Sequence, residues 1–313
     1  MNSKLHDYLR MAAALAILLA VFGLSSANFF TISNLSSIAN QVPAAVLVAV
    51  GMTYVLIIGG IDLSVGSVLG FSGAVLGTAM VHFQLPLPLA VGLCVAAGLA
   101  CGIINGLLSS GIALPSFIVT LGMMEIARGA AYRVTGSETQ YIGERIECIS
   151  ELSVLGISAP FIFALLTVAA GQTILSCTAF GRHALAVGAN EESARLSGLS
   201  TRRIKFTVYV LSGALSAMAA VIHSSRLSVA DPNAGIGFEL QAIAAVVIGG
   251  TSLAGGRGNA VNSFIGVLII AVLQSGLAQM GALEPTKRLV TGFVIVAAVV
   301  LDYYRSRKSR EHN

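Results

Sequence analysis

Gly59-Gly60-Ile61-Asp62-Leu63-Ser64-Val65-Gly66-Ser67-Val68-Leu69-Gly70 is the stretch on which the reading of this chain turns. Long apolar runs flank it, yet it holds one carboxylate, two hydroxyls and four glycines. A charge inside a bilayer costs at least roughly 2.5 to 3.5 kcal/mol on insertion scales. Non-helical backbone at that depth is tolerated only where it is packed in protein or lines a cavity. The stretch is therefore expected to be a built break between two membrane spans. Asp62 either caps the following helix through the backbone of Ser64 or Val65, or holds the break open to water, or pairs with a cation such as Arg257.

The flanking composition sets the class. Of the 313 residues, 56% are hydrophobic and only 10% are charged. Several nearly uncharged stretches are long enough to cross a bilayer, which takes about 20 residues. The expected fold is an all-α polytopic membrane protein with about ten transmembrane helices and Gly-rich breaks, a single domain over residues 1–313. The expected spans are 11–24, 43–58, the run from the break to 81, the run ending at 108, 115–132, 158–177, 206–223, 238–248, 260–280 and 289–304. Polar segments at 28–41, 109–113, 133–157, 178–205 and 224–237 separate them, and Leu85-Pro86-Leu87-Pro88 makes a turn. The run 11–24 reads as an uncleaved first helix, since the rest of the chain is membrane-embedded. The alternative is a signal peptide cut near Ser25 and Ala27.

Charge placement orients these spans. With the N-terminus inside, the cytoplasmic segments hold twelve basic residues: Lys4, Arg10, Arg182, Arg195, Arg202, Arg203, Lys205, Arg257, Arg305, Arg307, Lys308 and Arg310. The other side holds six: Arg128, Arg133, Arg145, Arg226, Lys287 and Arg288. That imbalance follows the positive-inside rule, with both termini cytoplasmic.

Ile58-Gly59-Gly60-Ile61-Asp62-Leu63 is echoed by Ile248-Gly249-Gly250-Thr251-Ser252-Leu253. Paired Gly-interrupted spans in two halves are the trace of a repeat-built transporter. Gly59, Gly60, Asp62, Ser64, Thr251 and Ser252 are therefore the candidate translocation path. In 178–205, Asn190 can cap a two-turn helix with Glu191 and Glu192 in its first turn, and Gly198 fits its stop. Arginines flank it, and Ala194 and Leu196 offer small and apolar contacts to a partner.

Other groups carry weaker signals. Glu125 and Arg128, three apart, share a helix face as an ion pair or as pore lining. Glu239 suits the start of a helix. Cys94 and Cys101 share a face in one apolar run, and none of the four cysteines has metal-ligand spacing. No basic patch interleaved with aromatics supports nucleic-acid binding, and no residue pattern calls for a cofactor. Gly70-Phe71-Ser72-Gly73 with His223 matches an intramembrane serine protease in four residues, which close helix packing explains better.

Three segments together carry a resemblance: Gly59 to Ser67, Val187-Gly188-Ala189-Asn190-Glu191-Glu192-Ser193-Ala194-Arg195-Leu196-Ser197-Gly198, and Gly237 to Gly256. In order and over nearly the whole chain, the sequence resembles the ribose-type sugar permeases of ATP-binding cassette importers. Branched-chain amino acid permeases lack the Gly-Gly-Ile-Asp-Leu-Ser form and match less well. An ion-coupled secondary transporter is a more distant alternative. The resemblance implies a bacterial inner-membrane permease subunit working in a pair, with a second copy or a sister chain. Cytoplasmic ATPases would drive it, and a periplasmic binding protein would deliver a ribose-like sugar. Residues Asn190, Glu191, Glu192, Ser193, Ala194, Arg195, Leu196, Ser197 and Gly198 would form the helix that docks on the ATPase. The sequence agrees on one negative point. It holds no Gly-x-x-x-x-Gly-Lys-Ser/Thr, and the Gly255-Gly256-Arg257-Gly258 turn lacks the lysine and hydroxyl of that phosphate cradle, so this chain is not expected to hydrolyse ATP.

Overall fold

The central helix, α2 (Ile32–Ile57), is apolar from Val42 onward and buried there on nearly every side. A helix hydrophobic all round belongs inside a bundle. The computed structural model describes residues 2–154 and 156–311, without the side chains of 2–7, 298–299 and 301–311. The charges of Lys4, Arg305, Arg307, Lys308 and Arg310 lie outside those described side chains.

The order is α1 (Asn2–Ser25), α2, α3 (Val65–Val81), α4 (Leu87–Gly106), a π-helical turn (Leu107–Gly111), α5 (Ser116–Thr135), β1 (Gln140–Tyr141), α6 (Glu144–Glu151), β2 (Ser153–Val154) and β3 (Ile157–Ser158). Then come α7 (Ala159–Cys177), α8 (Ala179–Ala189), α9 (Glu191–Leu196), α10 (Thr201–Leu227), β4 (Val229–Ala230), α11 (Phe238–Ile248), α12 (Ala260–Gln279) and α13 (Glu284–Glu311). Among the described residues, six segments are long and apolar enough to cross a membrane: Tyr8–Ser25, Ile32–Ile57, Leu87–Gly111, Ala159–Cys177, Thr201–Leu227 and Ala260–Gln279. The protein is thus an all-α, multi-pass membrane protein. Its strands are two-residue antiparallel pairs, and β1 pairs with β4 to tie the far ends of α5 and α10 together.

α2 packs against α10, α12, α7 and α11, and α10 against α4, α2 and α3. Small residues let these helices approach closely. A Cβ on Gly213 of α10 would stand 2.3 Å from the Gly98 carbonyl oxygen of α4. Lipid supplies no hydrophobic drive between helices, so such backbone-close seams hold the bundle.

The structure departs from the sequence reading at several element boundaries. α2 begins at Ile32, inside the segment expected to be a polar connector. The Thr31 hydroxyl accepts from the Asn34 amide at 3.3 Å, while Asn34 donates to the Phe29 carbonyl and accepts from Ser275 and Gln279 of α12. Its polarity is thereby used up inside the bundle. Ser109–Ala113, expected to be a loop, largely continues α4 as the π-helical turn. Residues 178–205 are not one loop but α8, α9 and the start of α10.

Candidate functional site

α2 stops where its chain reaches Gly59, whose φ of +73° suits a residue without a Cβ. The next residues leave the helical ladder, and their backbone is satisfied from α5. Ser116 Oγ accepts from the Ile61 amide at 3.1 Å, and Thr120 Oγ1 accepts from the Leu63 amide at 3.1 Å while donating to the Ile61 carbonyl. Backbone that leaves the helical ladder inside a packed bundle needs such internal partners. Tyr209 closes the turn from above, its hydroxyl 2.4 Å from where a Gly60 Cβ would be.

Asp62 is 2% exposed. Its Oδ1 accepts from the Ser64 amide at 3.0 Å and the Ser64 hydroxyl at 2.6 Å, and its Oδ2 accepts from Ser212 Oγ of α10 at 2.8 Å. Asn105 Nδ2 of α4 donates to Ser64 Oγ at 2.9 Å. The carboxylate therefore binds α3 and α10 directly and α4 at one remove. A buried carboxylate must be hydrogen-bonded or paired, and here hydroxyls and an amide do that work. Of the three readings, the bond to the Ser64 backbone is the one present, and Ser64 and Ser212 rather than Arg257 hold the carboxylate. Asp62 does bond the Ser64 amide, but the residue flanking α3 is Ser64, which makes no side-chain cap.

The second break follows α11. Gly250 has φ +84°, the Thr251 amide reaches back to the Val246 carbonyl at 3.1 Å, and the Ser252 amide donates to the Arg257 carbonyl at 3.0 Å. Thr251 and Ser252 are buried, and Asn259 caps α12 through the Asn262 amide at 2.9 Å. The echo seen in sequence is not an exact structural repeat. The left-handed residue is the first glycine in one break and the second in the other.

The two breaks touch. The Gly256 amide donates to the Ile57 carbonyl at 2.8 Å, and a Cβ on Gly255 would lie 3.0 Å from the Gly59 nitrogen. Gly188 of α8 seats in the same junction, where a Cβ would fall 1.7 Å from the Ile57 carbonyl oxygen and 2.6 Å from the Gly256 nitrogen. Asp62 and Ser64 are in contact. Thr251 and Ser252 are not among the partners of Asp62, so the breaks meet through backbone.

α9 hangs directly from α8. Asn190 Oδ1 accepts from the Ser193 amide at 2.9 Å, and Gly198 takes φ +83° after the helix. Arg195 grips both carboxylate oxygens of Glu192, at 2.6 and 3.1 Å, and holds that carboxyl below the usual range. Lys205 pairs with Glu191. Leu196 stands 76% exposed, whereas Ala194 is only 6% exposed and packs into the chain's own core. The expected outward contact at Ala194 is corrected accordingly. α9 presents Leu196 beside two ion pairs, Glu192–Arg195 and Glu191–Lys205.

Three smaller expectations resolve. Glu125 and Arg128 do not pair: Glu125 is exposed, and Arg128 Nη1 donates to the carbonyls of Pro232 and Ala234, clamping that loop to α5. Glu239 Oε1 accepts from the Gly237 amide at 3.2 Å, at the start of α11 as expected. Ser72 Oγ is buried without a hydrogen-bond partner among the described residues, and the His223 ring stands edge-on to Phe238, so no Ser–His nucleophile is formed. Sequence reasoning missed Asn105, Ser116, Thr120 and Ser212. Their signal was polarity within otherwise apolar spans.

Residues 34–299 match the family described as branched-chain amino acid transport system / permease component. The chain is 40% identical over 294 residues to the ribose import permease protein of Escherichia coli (strain K12), covering 92% of this chain and 91% of that one. It is 36% identical over 296 residues to the L-arabinose ABC transporter permease protein of Azospirillum brasilense, covering 94% and 87%. It is 36% identical over 291 residues to the D-allose transport system permease protein of Escherichia coli (strain K12), covering 92% and 89%. A transport component rather than an enzyme, this chain belongs to the branched-chain amino acid transport system / permease component family.

Proposed function

We propose that the chain is the inner-membrane permease subunit of an ATP-driven importer that passes a ribose-like monosaccharide from a periplasmic binding protein to the cytoplasm. The relatives named for ribose, L-arabinose and D-allose support the substrate class. In this reading α1–α5, α7 and α10–α13 are ten spans, both termini are cytoplasmic, and the subunit works in a pair. The ATPase docks on the exposed residues of Asn190 to Gly198, with Ala194 anchoring the helix from within, and the two breaks lie on the translocation path.

The observation that carries the reading is the junction at Gly188. It puts the base of a capped, outward-facing helix against the end of α2 and the second break at once. A push on α9 therefore reaches both breaks through α8 without crossing a flexible linker. A six-residue helix is marginal alone, so α9 gains order from a partner surface. Leu196 is its apolar contact and the Glu192–Arg195 pair the charged one.

The test is Leu196→Asp and Arg195→Glu in the reconstituted complex of permease, ATPase and binding protein. Both variants should insert and fold, because both side chains point outward. Sugar-loaded binding protein should no longer stimulate ATP hydrolysis in either. Full stimulation in both would make α9 a topological connector and place coupling elsewhere.

A further inference from the structure

At the end of the bundle opposite α9 lies a cavity of about 280 Å³ between α2, α10, α11, α12 and α13. Gln41, His223, Arg226, Gln241 and Gln274 line it, and Phe238 forms part of its wall. Glu284 stands at its edge, at the first turn of α13. The three glutamine amides have no hydrogen-bond partner among the described residues. Polar side chains inside a membrane bundle are costly and face cavities that use them. On the side toward the breaks α11 and α12 pack closely: a Cβ on Gly266 would sit 2.0 Å from the Ala245 carbonyl oxygen.

We infer that this cavity binds one monosaccharide. The inference rests on the importer reading above and names the site within it. Small-molecule sites begin at roughly 300 Å³ and combine apolar walls with a few convergent polar groups. A sugar hydroxyl both donates and accepts, and a glutamine amide offers both functions in one side chain. Three amides around one chamber suit a ring of hydroxyls, while Phe238 meets the ring's C–H face. A cation site would gather carboxylates instead, and a purely apolar ligand would leave the amides unpaired. The location fits delivery, since the chamber lies at the end of the bundle away from the proposed ATPase contact.

The chain contains no tryptophan, so Phe238→Trp places a single fluorescent reporter in the wall. Ribose, L-arabinose and D-allose are titrated in turn against the full-length variant in nanodiscs. At least one should give a saturable change in emission, abolished by adding Gln241→Leu with Gln274→Leu. In the assembled complex, Gln241→Leu or Gln274→Leu alone should cut import about tenfold, the equivalent of one lost hydrogen bond. ATPase and binding protein should still assemble with these variants. If the reporter variant does not fold, the import assay alone decides. A wild-type complex that imports one of the sugars, with no saturable change or with unaffected glutamine variants, overturns this site and leaves the importer reading standing. A wild-type complex that imports none of the three overturns the importer reading itself.

Discussion

Asp62 shows how far a single residue can be read from sequence. Its cost in a membrane and its short reach to Ser64 follow from neighbours two residues apart, and both are present in the structure. Its bond to Ser212 spans 150 positions, and the Asn105 contact to Ser64 spans 41. No local pattern announces such partners, so the sequence offered only a cap, an opening to water or a cation such as Arg257. The network makes a clear prediction. Asp62→Leu removes the acceptor for the Ser64 amide and the Ser212 hydroxyl, leaving buried donors that cost about 1–3 kcal/mol each when unpaired. The purified variant should melt at a lower temperature and import poorly, with Asp62→Asn milder because one acceptor oxygen remains. Thermal unfolding in detergent together with an uptake assay checks this. A leucine variant as stable and active as wild type would remove Asp62 from the argument.

Among elements, those with self-contained signals were legible. α11 runs from Phe238 to Ile248 as expected, and α9 starts at its Asn190 cap and stops before Gly198, because caps and left-handed glycines act within one turn. The start of α2 was not legible. Asn34 looks like connector chemistry until α12 supplies Ser275 and Gln279 as partners. The π-helical continuation of α4 gave no sequence signal either. The junction between α8 and α2 offers the sharpest test at this scale. Gly188→Val cannot keep α8 in place, since even its Cβ would fall 1.7 Å from the Ile57 carbonyl oxygen. α8 should shift away from the breaks while the spans still insert. The expected readout is ATP hydrolysis that continues without sugar import; import at the wild-type rate would show that the contact does not transmit coupling.

For the whole molecule, the ends of the bundle are chemically unlike. One end gathers both breaks, α8 and α9, where Arg182, Arg195, Arg202, Arg203, Lys205 and Arg257 cluster in sequence. The other gathers the paired strands β1 and β4, α6 and the mouth of the glutamine-lined cavity. Basic residues near span ends resist translocation, so the end rich in arginine is expected in the cytoplasm. The twelve-to-six division of basic residues among the loops points the same way. Cysteine labelling decides it, in a background with the exposed Cys148 and Cys177 replaced by serine. Ser193 in α9 and Ser137 after α5 are both exposed, so either position accepts a reagent. In intact cells an impermeant thiol reagent should modify Ser137→Cys and spare Ser193→Cys, and inside-out vesicles should reverse the pattern. The opposite result would put α9 outside the cell. An ATPase could not then reach it, and the sugar-facing cavity would open to the cytoplasm. The direction of transport inferred here is thus tied to a measurement that needs neither the substrate nor the partner proteins.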